Sequence, residues 1–188
     1  MGKVTWKPGT MIYPLPAVMV SCGAGENEYN IITISWTGTI CTDPPMCYIS
    51  VRPERYSYNL IKNAGGYVIN LTTSSLAGAT DWCGVVSGKD HNKFREKGLT
   101  PVRATKVSAP MILESPVNIE CAVRSITELG SHHMFISEVM AIHADEKYIE
   151  KETKAFRLDK TGIICYSHGK YFTAGEFIGK FGFSVKKK

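Results

Sequence analysis

Several of the usual announcements of function are missing from this sequence. The six cysteines, at 22, 41, 47, 83, 121 and 165, form no CxxC pair, so neither a zinc ribbon nor a thioredoxin-like redox pair is written in their spacing. No apolar run approaches the roughly 20 residues that a membrane-spanning helix needs. The first residues lack a basic segment followed by an apolar stretch and a small-residue cleavage site. With cysteines that do not pair by spacing, this leads to the expectation of a cytoplasmic protein with reduced thiols and no membrane partner. Trp6 stands where a myristoylation signal on Gly2 wants Ser or Thr, and without a secretory signal the sequon Asn70-Leu71-Thr72 reads as a chance match. A concentrated basic face is lacking too. The formal net charge is +5, part of it sits in a terminal run Lys186-Lys187-Lys188 that reads as a solvated tail, and the other cations are scattered among acids. Nucleic acid is therefore not an expected partner, although the positive balance attracts small phosphorylated molecules.

What is present is the composition of a globular protein, 44% hydrophobic and 21% charged over 188 residues, long enough for one buried core and therefore one domain spanning residues 1–188. Short β-branched and aromatic runs bounded by Gly, Pro, Asn and Asp predict strands at 17–22, 30–36, 46–52, 67–71, 117–127 and 134–143. Two stretches break the pattern. Residues 57–63 follow a good N-cap residue and stop before Gly65-Gly66. Residues 75–86 space Leu76, Ala79, Cys83 and Val86 three or four apart. Strands dominate, helices do not alternate with them, and a doubly wound parallel sheet is a poor fit. Gly23-Ala24-Gly25 lacks the third glycine of a dinucleotide fingerprint and leads into a strand, so it predicts a hairpin turn.

Chemistry gathers in two segments. Ser50-Val51-Arg52-Pro53-Glu54-Arg55-Tyr56-Ser57 joins a strand end to a helix start. Ser50 and Arg52 share a strand face, and Ser57 sits where a helix presents free N–H groups and the positive end of its dipole. An arginine fork, hydroxyls and a helix N-terminus describe a phosphate pocket. The competing reading makes Ser57 a simple N-cap and Arg52 and Arg55 surface ion-pair partners. In Asn30–Gly38, Thr33 and Ser35 put small hydroxyls on one strand face while Ile32 and Ile34 point the other way. Near Trp36 and Gly38 such a face admits a flat heteroaromatic ring. The competing reading is a half-exposed strand with its polar side in water.

The run NIITISWTGTICTDPPMCYISVRPERYSYNLIKN, residues 30–63, resembles the signature of the flavin reductase-like proteins of the FMN-binding split-barrel type, and especially their flavoredoxin branch. DWCGVVSG at 81–88 with Lys93-Phe94, GSHHMFISEV at 130–139, Gly169-Lys170-Tyr171 and FGFSV at 181–185 follow in matching order, so the likeness spans nearly the whole chain. It implies a mainly β fold, an antiparallel Greek-key split barrel with short helical insertions, homodimeric, with FMN near the subunit interface. Carried over by position, Thr33, Ser35, Trp36, Thr37 and Gly38 would contact the ring and ribityl chain. Ser50, Val51, Arg52 and Ser57 would hold the phosphate, with Ser87, Gly88, Lys93 and Tyr171 adding to the site. His132 would stand near the flavin face as the catalytic residue. The chain departs from the family pattern at Ser131, where Asp is commoner, and at Ser137, which replaces a glycine.

Such a protein takes electrons from NAD(P)H or a redox partner and passes them through FMN to flavin, iron, oxygen or a protein acceptor. The alternative is a non-catalytic FMN-binding barrel that senses or stores flavin. His132 and His133 are adjacent in a strand, point to opposite faces and do not chelate one metal ion. Cys83 is expected as a small buried residue rather than a redox thiol, and Trp82 and Phe94 as core or dimer-contact residues.

Overall fold

The structure, a computed structural model, describes residues 2–185; the predicted lysine tail at 186–188 lies outside them. In chain order the elements are β1 (Leu15–Pro16), β2 (Val18–Cys22), β3 (Asn30–Ile34), β4 (Thr37–Thr42), β5 (Pro45–Val51), α1 (Tyr56–Ala64), β6 (Gly66–Leu71), α2 (Ala77–Val85), α3 (Lys93–Lys97), β7 (Pro101–Val102), β8 (Met111–Ile112), β9 (Val117–Glu128), β10 (His133–Ala144), β11 (Ile164–Ser167) and β12 (Lys170–Thr173). Seven strands make one antiparallel sheet in the order β3-β2-β6-β9-β10-β5-β4, and β1, β11 and β12 make a small second sheet.

β3 and β4 are the two outer strands of that order, yet only Ser35 and Trp36 separate them in sequence. A flat sheet cannot satisfy both facts, because neighbouring strands lie nearly 5 Å apart. The sheet therefore rolls until its borders meet at residues 35–36, where Ser50 N–H donates to Trp36 C=O at 2.9 Å and Thr37 N–H to Ser35 C=O at 3.0 Å. The result is a barrel left unzipped along one seam.

Alternation fills it. Val18, Val20, Cys22, Ile32, Ile34, Ile49, Val51, Tyr67, Ile69 and Phe135 point inward and form the main core. Met19 and Ile31, on the other face of β2 and β3, meet Leu76, Cys83, Phe94, Leu99 and Ile112 under α2 and α3. β2 is consequently buried at all five positions, and its one polar residue, Ser21, donates its hydroxyl to the Pro110 carbonyl. Phe135 is fully buried in the barrel, where truncation to alanine costs about 3–5 kcal/mol. α1 seals one side with Tyr58 and Ile61 and stops at Gly65, whose φ of 66° is the left-handed C-terminal turn that glycine adopts without strain.

One buried carboxylate fastens the outer loop to the sheet. Glu120 on β9 is fully buried, and accepts from Thr105 N–H and Thr105 Oγ1 (both 2.8 Å), Lys106 N–H, Val107 N–H (3.0 Å) and His143 Nε2 (2.6 Å). Burial alone raises its pKa, but the donors of Thr105, His143 and Lys106 outweigh that and hold it at about 2.

The six predicted strands are present with small shifts, and three expectations change. The strand predicted at 30–36 ends at Ile34, because the chain leaves the edge there to cross the seam. α1 begins at Tyr56 with Arg55 as its N-cap and no side-chain cap; Ser57 is inside the first turn, so the N-cap reading of Ser57 is corrected. The helix predicted at 75–86 is a 3₁₀ turn, Ser74–Leu76, that runs on into α2. β2 and β3 form the predicted hairpin, with Gly23 at φ 108° beside the Glu28 carbonyl. Asn70 of the sequon is fully buried, bonded to Met19 C=O, Ser21 and Ile112 N–H, and closed to modification.

Candidate functional site

Two cavities meet at the seam and share Ile32 and Arg55 as walls. The seam cavity, about 360 Å³, is lined by Thr33, Ser35 and Trp36 on one side and by Ser50, Val51, Arg52, His132 and Tyr166 on the other. The cationic cavity, about 300 Å³, lies against the start of α1 (Tyr56, Ser57), the end of α2 with its following loop (Cys83, Gly84, Ser87, Gly88) and Lys93.

Lys93 opens α3, a helix started by Asn92, whose side chain accepts from Arg95 N–H at 3.0 Å. It is 3% exposed, and its Nζ donates to the Ile31 and Cys83 carbonyls, each at 2.7 Å. An ammonium has three N–H donors, so one is left for a ligand. Among the described residues no carboxylate lies within 4.0 Å of it. The neighbouring thiols do not supply a countercharge either, since burial pushes Cys22 up to about 12 and Cys83 up to about 11. Burial pulls the pKa of Lys93 itself down. A buried cation without a partner is costly, and an incoming anion removes that cost. Beside it, α1 has no side-chain cap, and with Tyr58 N–H turned back to Arg55 C=O at 2.9 Å, the Tyr56 and Ser57 N–H groups are left without an intrahelical acceptor. Ser57 is 2% exposed and takes a hydrogen bond from Asn30 Nδ2 at 2.8 Å.

The seam cavity has a different character. Trp36 meets the His132 ring edge-on, centroids 6.5 Å apart. Burial, then the charge of Arg52, depresses the His132 pKa below its usual 6.5, so the imidazole is neutral at pH 7. Ser131 Oγ is hydrogen-bonded to His132 Nδ1 at 2.9 Å, a contact that fixes the ring where the family pattern has Asp. The other departure, Ser137, is buried and accepts from Tyr67 Oη at 2.9 Å. His133 turns away to Tyr58 Oη at 2.8 Å, so the two histidines do diverge.

The expected phosphate set is divided by the structure: Ser57, Ser87, Gly88 and Lys93 line the cationic cavity, whereas Ser50, Val51 and Arg52 line the seam cavity. Arg52 is half exposed and pairs with Glu54 at 3.3 Å. Thr33 and Ser35 do line the seam cavity, but the Thr33 hydroxyl is donated to the Thr80 carbonyl of α2. Three expected residues lie on neither cavity wall. Thr37 is buried and donates to Tyr48 C=O at 2.6 Å. Gly38 makes room for the Tyr48 ring, 3.3 Å from where a Cβ would stand. Tyr171 on β12 packs behind Tyr166, centroids 5.8 Å apart. Arg55, shared by both cavities, and Tyr166 are wall residues that the sequence reading did not select. Arg55 carried a local signal, standing two residues before Ser57, while Tyr166 had none because β11 itself went unread. Cys83 and Phe94 are buried in the cluster under α2 and α3, with Trp82 packed against it.

This arrangement, a rolled antiparallel sheet with a donor-lined cavity on its seam, is that of a flavin-binding split barrel. The chain belongs to the flavin reductase like domain family, whose model matches residues 10–175. Within that family its relationship is to the flavoredoxin branch. The flavoredoxin of Desulfovibrio vulgaris (Miyazaki F) has a TM-score of 0.90 at 29% identity, covering 99% of this chain and 100% of that one. The flavoredoxin of Methanosarcina acetivorans has a TM-score of 0.86 at 24% identity, covering 99% and 100%. An uncharacterized protein of Archaeoglobus fulgidus is 30% identical over 163 residues, covering 86% of this chain and 89% of that one. The chain is thus a flavin reductase-like oxidoreductase of a flavin-binding class. Its own residues fit that cofactor class: a buried cation without a carboxylate, a buried serine hydroxyl and a helix start without a side-chain cap suit a phosphate monoester, and the adjoining aromatic slot suits a flat ring.

Proposed function

We propose that the protein binds FMN with its phosphate in the cationic cavity and its ring in the seam cavity, and that it passes electrons from NAD(P)H or a redox partner to flavin, iron or a protein acceptor. The observation that carries this reading is Lys93: a buried ammonium with a donor to spare and no carboxylate beside it, at the foot of an uncapped helix. Ser57, Ser87 and the first-turn N–H groups of α1 add donors around the same point. Bound flavin supplies reversible two-electron acceptance at its N5, chemistry that no side chain offers. The chain's part is orientation and access. Trp36 and Ile32 wall the slot, Ser50 and Ser35 offer hydroxyls at its edge, and Arg52 with Arg55 keeps the rim positive toward anionic donors. His132, neutral and held by Ser131, borders the open side where a nicotinamide would approach.

The protein works in this reading as a cytoplasmic homodimer. Support comes from apolar side chains near both ends, Trp6, Ile12, Phe177 and Ile178, which are 76%, 86%, 79% and 88% exposed and which a second copy would cover. Among the described residues no helix is long and apolar enough to cross a membrane. The deciding experiment is anaerobic addition of NADH or NADPH to the FMN-loaded protein. The flavin absorbance near 450 nm is expected to bleach within seconds. A lasting oxidised spectrum with both donors would withdraw the reductase and favour a carrier fed by a protein donor, or a flavin-binding sensor or store. Light scattering showing a monomer with full FMN occupancy would remove the dimer.

A further inference from the structure

Asn30 is absent from both cavity walls, yet it governs one of them. It is the first residue of β3 and 2% exposed. Its Nδ2 donates to Ser57 Oγ at 2.8 Å, while its Oδ1 has no hydrogen-bond partner, the one buried side-chain polar atom of that kind among the described residues. The amide is wedged against the backbone of Gly88, since a Cβ there would come within 1.9 Å of Oδ1. Gly88 is therefore required by Asn30 as well as by the cavity that it lines.

A buried carbonyl oxygen left unpaired is destabilising, because it has lost its water and gained no donor. Turning the amide over offers Ser57 an acceptor instead of a donor, and the difference for Ser57 is decisive. A hydroxyl has one hydrogen and two lone pairs. If Ser57 donated to Asn30, only lone pairs would face the cavity, and they repel an anion. As it stands, Asn30 occupies a lone pair and leaves the Ser57 hydrogen free to point at whatever lies between Lys93 and the start of α1.

We infer that Asn30 is a positioning residue: it orients the Ser57 hydroxyl as a donor into the cationic cavity and thereby sets the preference for a phosphorylated over an unphosphorylated flavin. The inference rests on the phosphate reading of that cavity and extends it to a residue that touches no ligand.

The test compares dissociation constants for FMN and riboflavin, read by flavin fluorescence, in wild type, Asn30→Asp, Asn30→Ala, Ser57→Ala and the double variant Asn30→Asp/Ser57→Ala. Asn30→Asp keeps the shape but replaces the donor with an acceptor, which pulls the Ser57 hydrogen away from the cavity. FMN affinity should fall by about tenfold or more, the effect of one hydrogen bond to a charged group, with riboflavin affinity unchanged. Asn30→Ala, which adds no charge, should show a smaller loss in the same direction, and it decides the matter alone if the aspartate variant folds poorly. Because the effect runs through Ser57, the double variant should be no worse than the poorer single one. Retention of the wild-type FMN-to-riboflavin ratio in both Asn30 variants, or fully additive losses in the double variant, overturns the role of Asn30. Wild-type protein that binds FMN and riboflavin equally overturns the phosphate reading itself, a different result.

Discussion

Two buried polar clusters in this molecule are built to opposite rules. Around Glu120 each carboxylate oxygen is supplied with donors, from the backbone of residues 105–107, the Thr105 hydroxyl and His143, and nothing is left over. Around Lys93 the cation lacks a counter-ion, α1 lacks a side-chain cap, and the Asn30 oxygen lacks a donor. Both are buried and both lie where a loop or helix meets the sheet. The first is complete and only fastens; the second is complete only with something bound. An unsatisfied polar cluster in an otherwise well-satisfied interior is the physical mark of a site.

Substitutions should split along that line. Glu120→Ala strands five donors and should cost about 3–5 kcal/mol in urea denaturation, while flavin affinity measured well below the transition stays as it was. Loss of flavin binding by the folded variant would erase the distinction. Acid should act on the same cluster. The folded pKa of Glu120, about 2, lies below an unfolded value of about 4.3, so the unfolded state binds the proton first. The stability contribution is present above about pH 4.3 and lost as pH falls toward 2, roughly 3 kcal/mol in all. Wild type and Glu120→Gln should therefore converge in stability near pH 2, and a constant gap across that range would count against the carboxylate.

The opposite signature belongs to Lys93→Met. Removing a buried charge that has no partner should change stability by less than about 1.5 kcal/mol, yet FMN retention by equilibrium dialysis should fall by roughly 2 kcal/mol, some thirtyfold. A strongly destabilised variant that still holds FMN would reverse the assignment. The smallest effect is expected for Arg52→Ala. Its guanidinium is half exposed, paired with Glu54 and placed on the seam cavity, so FMN retention should drop by under about 1 kcal/mol, with the larger change in donor affinity. A loss as large as that of Lys93→Met would return Arg52 to the phosphate.

The contrast also marks how far the sequence could be read. β2, β3, β5, β6, β9 and β10 were legible because β-branched runs between turn residues express a pleated, buried surface locally. β4 was not, since Thr37–Thr42 is an outer strand paired to β5 alone and is buried only at Thr37, so it lacks the apolar alternation that marks a strand. Thr37 and Gly38, named through family likeness, stand at the start of that strand with Tyr48 as neighbour. α3 has five residues, too few for periodicity, though Asn92 supplied its cap. β11 and β12 turn at His168-Gly169, both at positive φ, a hairpin sign weaker than Asn-Gly. Ser57 was reached through local chemistry together with family likeness, and Lys93 through family likeness alone. Asn30 was out of reach, because its importance lies in a bond across 27 residues to Ser57.

The link formed by Ser35 and Trp36 carries a mechanical consequence. Two peptide units hold the opposite borders of the sheet together at one end, and those same two residues form part of the wall of the seam cavity. Breathing of the seam is thereby pinned where Ser35 and Trp36 meet the cavity, and splaying is left to the strands farther from that joint.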